Sequence, residues 1–465
     1  MDDVTAERTT RVESPRGVAR AAELGRMLTG SQTLAIAAAG GVALVLGLIR
    51  LGAPSFWVDE SFTANSSKGS LAELFSGYHG LYYTLENAWG RFAGTSELAL
   101  RLPSVVGAVI AACLLVVLAG RVFDRRVALL AGLLLAASPF IVKWSQQARG
   151  YTLMLAVSLA ATLLLARAVE RGTRASWAVY GAAFAVLAVW HPVAALLLAP
   201  SHAVLLYQRR ARVLPHGLLA GLIVLAIGVP WAAQIAIRST GEGVAMNWLK
   251  FPTLEVASRA LLDVSGVAGL GLLLAVLGLW TLRRTGDGER AAWLGAWAFA
   301  PFALALLVSI VRPIYLDRYL IVAAPAFALL AAVALVGATP RLRAVLAAAV
   351  VLATTVGLVH WYGEGVGGNW RGEDWRGAVS TVLEQRVPGQ PIVVAPWSAA
   401  PAARYYGADV VDTSTADSIW VLTWSETGDD LTAADRSALG FGDHRPVERL
   451  VFGRRVTAQL WARQR

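Results

Sequence analysis

The segment FWVDES (56–61) sets two carboxylates, Asp59 and Glu60, a few residues beyond the first long apolar run. Carboxylates next to apolar surroundings are costly unless solvated or paired. One that is ionised at neutral pH can take the proton of a hydroxyl as a new bond to that oxygen forms. Moving a sugar from a phosphate to a hydroxyl needs only one such base, because phosphate departs already stabilised as an anion. Hydrolysis of a glycoside needs two opposed carboxyl groups instead. The bland alternative is a solvated loop that happens to carry an acidic pair.

Cations that suit a phosphate stand elsewhere in the chain: Lys143 and Arg149 in KWSQQARGY (143–151), and Arg312 and Arg318 in RPIYLDRYL (312–320). A guanidinium makes bidentate, charge-assisted bonds to phosphate oxygens. Tyr151 and Tyr319 lie within two residues of Arg149 and Arg318. Against this, Arg318 pairs with Asp317 and the remaining cations snorkel to lipid headgroups. His79, in GYHGLYYTL (77–85), lies beside Tyr82 and Tyr83 in the loop that carries the acidic pair, either as a substrate contact or as a packed aromatic neighbour. His191, before Pro192, reads as a helix-end residue. No histidine and carboxylate spacing resembles a zinc site. Metal dependence is open: a divalent cation at the acidic pair is the one candidate cofactor, and two adjacent carboxylates fall short of the six or so oxygens such an ion takes. Cys113, the sole cysteine, lies in an apolar run and reads as a packing residue.

These groups have to be positioned by a membrane protein. Of 465 residues, 56% are apolar and 15% charged, where soluble chains carry about a quarter charged. Apolar runs of bilayer length recur, which predicts an all-α polytopic protein of about eleven transmembrane helices: 31–51, 98–120, 127–143, 150–168, 176–190, 192–208, 217–236, 260–282, 291–311, 318–337 and 343–361. The net charge of +10 is distributed by loop. The amino-terminal tail and alternate loops (Arg121, Arg125 and Arg126; Arg167, Arg171 and Arg174; Arg209, Arg210 and Arg212; Arg283, Arg284 and Arg290; Arg341 and Arg343) carry 19 cations against about 11 opposite. That is the positive-inside pattern. It predicts a cytoplasmic amino terminus in a plasma membrane protein and makes nucleic acid an unsuitable partner.

The predicted domains are a disordered cytoplasmic tail (1–30), a transmembrane module (31–361) and a small extracytoplasmic α/β domain (362–465). Within the module, loop 52–97 carries Leu71, Leu74, Phe75, Tyr78, Tyr82, Leu85, Trp89 and Phe92 at helical spacing, an amphipathic stripe suited to the membrane interface. After the glycine-rich stretch 363–377, a helix is expected over 374–387, strands at 391–397 and 418–424, and a hairpin over 447–461.

The acidic pair, the histidine with Leu-Tyr-Tyr, LALRLPSVV (98–106), SQQARGYTL (145–153) and RYLIVAAPAFALL (318–330) occur in the order found in a known family. The chain resembles the membrane-embedded GT-C glycosyltransferases of the protein O-mannosyltransferase and aminoarabinose transferase type over most of residues 31–377. The resemblance implies a polyprenyl-phosphate sugar as donor, Asp59 as base with Glu60 supporting the site, and Arg149 and Arg318 as ligands of the donor phosphate. It implies a hexosyltransferase, with mannose the first sugar to try; the acceptor, a protein, glycan or lipid, is left open. Where the family often has two prolines after the histidine, this chain has Gly80 and Leu81. The rival readings are a transporter or flippase, which would place its ionisable groups near the bilayer midplane, and a non-catalytic protein that binds polyprenyl lipid.

Overall fold

The computed structural model describes residues 15–66, 70, 79–238, 249–267, 269–364, 371–412, 414, 416–425, 431, 436–437, 439 and 443–463. Leu71, Leu74, Phe75 and Tyr78 of the amphipathic stripe lie outside them. The chain is a multi-pass membrane protein whose helical bundle is followed by a small sheet domain.

The first helix, α1 (Pro15–Leu48), begins well before the apolar run. Residues 15–30, expected to be disordered, are therefore helical. Their sequence, PRGVARAAELGRMLTG, opens with proline at the first helical position and is rich in Ala, Leu, Arg and Glu, all helix formers. Two short helices of the first loop follow, α2 (Val58–Ser66) and α3 (Gly80–Ala93). Then come α4 (Glu97–Val122), α5 (Arg125–Ala137), α6 (Pro139–Ser145), α7 (Tyr151–Arg171), α8 (Arg174–Trp190), α9 (Pro192–Gln208) and α10 (Arg210–Arg238). The bundle closes with α11 (Leu254–Ser265), α12 (Leu270–Arg284), α13 (Gly288–Ser309), α14 (Ala324–Gly337) after a 3-10 turn, and α15 (Pro340–Glu364).

Among the described residues, six helices are long and apolar enough to cross a membrane, or eight if two bent pairs each count as one span. Three shorter apolar helices, Gln32–Leu48, Arg174–Trp190 and Pro192–Gln208, occupy the remaining expected positions. The stretches read as single spans at 127–143 and 260–282 are the bent ones, at 57° and 68°. The first breaks at Ser138–Pro139, where proline offers no N–H to continue the helix. The second breaks between Gly266 and Gly269, both at positive φ (84° and 87°), a conformation that ends a helix.

Side-chain caps mark where helices start. Ser96 accepts from Ala99 N, Asp124 from Arg126 N and Val127 N, and Thr173 from Ser176 N. The close approach of α4 to α7 needs a glycine: a Cβ at Gly107 would stand 2.6 Å from Leu153 N. Inside the bundle His202 is fully satisfied, with Thr162 Oγ1 and Tyr180 Oη each 3.0 Å from its ring nitrogens.

The carboxyl-terminal domain contains α16 (Trp375–Gln385), β1 (Ile392–Ala395), α17 (Ala400–Tyr405), β2 (Ser418–Trp424), β3 (His444–Phe452) and β4 (Val456–Arg463). The sheet order is β1-β2-β4-β3, with β1 and β2 parallel and the other pairs antiparallel. Strand alternation divides β2 between two cores. Trp420 and Leu422 pack with α16 and α17, while Ile419 and Val421 pack with Val393 and Trp461 on the opposite face. Val58, from the first loop, belongs to the α16 core.

Candidate active site

Several helix ends meet at one end of the bundle: the end of α1 running into α2, the start of α4, the α6–α7 turn, the α8–α9 junction, and the loop from α13 to α14. The opposite end carries Arg121, Arg209 and Arg290, each paired with a carboxylate.

Asp59 and Glu60 both occupy the first turn of α2, where helix-dipole polarity favours negative charge. They diverge, because successive residues on a helix point about 100° apart. Glu60 is turned inward and is 1% exposed. Its Oε1 accepts from Arg101 Nε (2.7 Å) and from Ala148 N (2.8 Å), and its Oε2 from Arg101 Nη2 (2.8 Å) and Trp57 N (3.4 Å). Arg101 in turn donates to the carbonyls of Leu51, Pro54 and Ser55. Glu60, expected to support the site beside Asp59, has both oxygens engaged with this framework.

Asp59 remains 29% exposed. Its Oδ2 lies 3.9 Å from Arg318 Nη2, and its main-chain carbonyl accepts from Arg149 Nη1 at 3.2 Å. Arg149 Nη1 also donates to Tyr83 Oη at 3.0 Å. The Tyr151 ring lies under both guanidiniums, 5.8 Å from Arg149 and 6.0 Å from Arg318. Arg149 is fixed by its own backbone, since Ser104 Oγ donates to its carbonyl (2.8 Å) and Thr152 Oγ1 to that of Ser104 (2.6 Å).

An aromatic wall continues from the arginines. His79 and His191 rings are 5.0 Å apart, His191 and Tyr319 4.5 Å, and Tyr82 and Tyr83 5.4 Å. Gly150, Arg149, Tyr151, His79, Tyr82, Trp190 and His191 enclose a cavity of about 10 Å³, room for one water. His191 is the helix-end residue the sequence suggests: Nδ1 accepts from Ala194 N and caps α9. His79 holds a left-handed backbone conformation (φ 60°, ψ 26°), a strained one for a residue with a Cβ. Burial, then the neighbouring His191, Arg149 and Arg318, push its imidazole well below the usual value, so it is neutral at pH 7.

Asp59, His79, Tyr82, Tyr83, Arg149, Tyr151, Arg318 and Tyr319 thus form one continuous patch. Lys143 stands at its margin, 3.6 Å from Asp317, whose Oδ1 accepts from Arg318 N. Sequence reasoning missed three contributors. Arg101 sits in an otherwise apolar run, a signal in itself. Arg371 lies over the Trp57 ring at 4.5 Å, with Arg318, Asp59, Glu373 and Arg455 as its charged neighbours. Glu373 is fully buried and accepts from Val58 N. Among the described residues no three His, Cys, Asp or Glu side chains converge on a metal-sized site.

The fold is the GT-C fold, an all-α polytopic bundle followed by a small carboxyl-terminal sheet domain. A family model described as dolichyl-phosphate-mannose-protein mannosyltransferase matches residues 88–233. The structure is similar to that of ArnT from Cupriavidus metallidurans bound to undecaprenyl phosphate, at a TM-score of 0.62 and 16% identity, covering 93% of this chain and 98% of that one. It is also similar to the oligosaccharyltransferase AglB from Archaeoglobus fulgidus in complex with an inhibitory peptide and a dolichol-phosphate, at a TM-score of 0.53 and 12% identity, covering 84% of this chain and 69% of that one. A sequence search of curated proteins returns no match.

Proposed function

We propose that this protein transfers a sugar from a polyprenyl-phosphate carrier to a hydroxyl on an acceptor at the outer face of the plasma membrane. The observation that carries the reading is the convergence of one partly exposed carboxylate, Asp59, with two buried guanidiniums, Arg149 and Arg318. The bound carrier lipids named for the two similar proteins add support. In this reading the acceptor oxygen bonds to the anomeric carbon while Asp59 takes the hydroxyl proton. The bond from that carbon to the phosphate oxygen breaks, and polyprenyl phosphate leaves with its added negative charge between Arg149 and Arg318. Buried cations facing developing charge are worth far more than the same groups in water. His79, Tyr82, Tyr83, Tyr151 and Tyr319 supply the wall against which the sugar rests, and Lys143 the outer rim. The sugar is a hexose, with mannose the first candidate; the acceptor is a protein, glycan or lipid. The positive-inside pattern supports a cytoplasmic amino terminus and an extracytoplasmic site and carboxyl-terminal domain.

The test is turnover of a panel of polyprenyl-phosphate sugars by purified protein in lipid nanodiscs, with Asp59→Asn alongside. A general base contributes about 10²–10⁴-fold, so Asp59→Asn should lose that much in kcat while still binding polyprenyl phosphate. Near-normal turnover by Asp59→Asn rejects the base assignment. A folded wild-type protein inert toward every donor rejects the enzyme reading in favour of transport or lipid binding.

A further inference from the structure

The helix that presents Asp59 lacks a cap of its own. Its first N–H groups have no partner within the helix, and Trp57, which precedes Val58, carries no side-chain acceptor. Half of a capping box is present, since Glu60, the third helical residue, reaches back to Trp57 N. A further acceptor comes from 315 positions away, where Glu373 Oε2 accepts from Val58 N, the first N–H of the helix, at 3.0 Å.

Glu373 is held for this task. Its Oε2 also accepts from Trp375 Nε1 at 3.0 Å, and its side chain is fully buried. The carbonyl of Gly372 accepts from Arg454 N (2.7 Å) and Arg455 N (3.0 Å), and Glu373 bridges to Gly453, so its backbone is tied to the β3–β4 turn. The chain leading into α2 is clamped to the same domain. Tyr406 Oη accepts from Phe56 N (2.7 Å), Arg376 Nη1 donates to the Ala53 carbonyl (3.1 Å), and Val58 lies in the core formed by Trp375, Ala378 and Trp420.

We propose that Glu373 is a positioning residue, and that the carboxyl-terminal domain caps the Asp59 helix and so sets where the base stands. The inference rests on the assignment of Asp59 as base. It makes the domain part of the catalytic apparatus. Glutamine at 373 keeps an oxygen that can accept from Val58 N; alanine removes it. Proline at 58 removes the donated hydrogen from the other side, at the helix position proline tolerates best.

The experiment measures two things on full-length protein in nanodiscs: hydrogen exchange of peptides spanning residues 54–66, and kcat and KM with the best donor. Polyprenyl phosphate binding serves as the folding check. Glu373→Ala and Val58→Pro should each speed α2 exchange and lower kcat by about tenfold, the loss expected of one buried hydrogen bond, with KM nearly unchanged. Glu373→Gln should stay within about threefold of wild type in both readings. Unchanged exchange in Glu373→Ala overturns the cap. Faster exchange with unchanged kcat overturns its catalytic role, as does a loss confined to KM or shared equally by the glutamine variant. If one variant fails to bind polyprenyl phosphate, the other decides. Should the wild type itself be inert, the enzyme reading fails and exchange alone still judges the cap.

Discussion

Arg101→Met removes five donated hydrogen bonds at once, two to Glu60 and three to the carbonyls of Leu51, Pro54 and Ser55. Every N–H of the guanidinium is in use. Methionine fills much of the volume but leaves Glu60 charged and buried with only the Trp57 and Ala148 N–H groups for company. Breaking one half of a buried pair costs about 3–5 kcal/mol. Glu60→Leu strands the arginine instead, though its three carbonyl partners remain, so about 3 kcal/mol is expected. Combining the two removes both charges, and the double variant should be destabilised by about 4 kcal/mol, leaving a coupling of about 3 kcal/mol. The assay is reversible denaturation in mixed micelles, run as a double-mutant cycle. Single losses that add to within about 0.5 kcal/mol would refute the pairing. Activity gives a second check. Glu60 follows Asp59 and binds the N–H of Ala148, which precedes Arg149, so every variant of the pair should separate base from phosphate ligand and cut turnover even at temperatures where it stays folded.

Glu86, on α3, is fully buried, and burial pushes its carboxyl up to about 8 from 4.5. The folded state therefore binds this proton more tightly than the unfolded one, and the stability it gives is present below pH 4.5 and lost as pH rises toward about 8. Wild-type melting temperature should fall across that interval, at a cost of about 3 kcal/mol by pH 7; Glu86→Gln should flatten the curve, and an unaltered slope counts against the reading. His79→Gly should relieve about 1 kcal/mol of backbone strain while losing the ring, so melting stays close to wild type and turnover drops at least tenfold; full activity would remove His79 from the site. Arg149→Lys cannot reproduce a two-pronged contact and should weaken polyprenyl phosphate binding about tenfold or more in a direct titration. Gly107→Val forces α4 from α7, because its Cβ would meet the Leu153 backbone. Both stability and phosphate binding should suffer, and intact binding would show that the Arg149 loop is positioned independently of that packing.

The membrane-spanning elements were legible because the bilayer demands a length of apolar sequence that few other structures need. Their breaks were less so: Pro139 interrupts a run whose composition continues past it, and hydropathy averaged over a window does not see a single lost N–H. In the strand domain, 418–424 matches β2 to the residue, since alternation of Trp420 and Leu422 with Ile419 and Val421 is a period-two signal. At the site, Asp59 stood out as a carboxylate just beyond an apolar run, and Arg149 and Arg318 through motifs whose order resembles that of a known family. The supporting part expected of Glu60 agrees with its bonds to Arg101 and Ala148, but adjacency in sequence did not show that a helix sends it and Asp59 in different directions. Glu373 and Arg371 carried no local signal strong enough to join them to a loop more than 300 positions earlier; only the tertiary fold makes them its neighbours.

The 315 positions between Val58 and Glu373 also order events during synthesis. A ribosome working at about 5–20 residues per second leaves the first loop waiting roughly 15–60 s for the groups that cap and clamp it. Throughout that interval the bundle is threading into the bilayer. A half-made molecule has Asp59 on a helix whose first N–H still lacks its Glu373 acceptor. On the proposed reading, full activity waits on residues made long after the helix that bears Asp59, and a chain cut short before Glu373 should lose at least what Glu373→Ala loses.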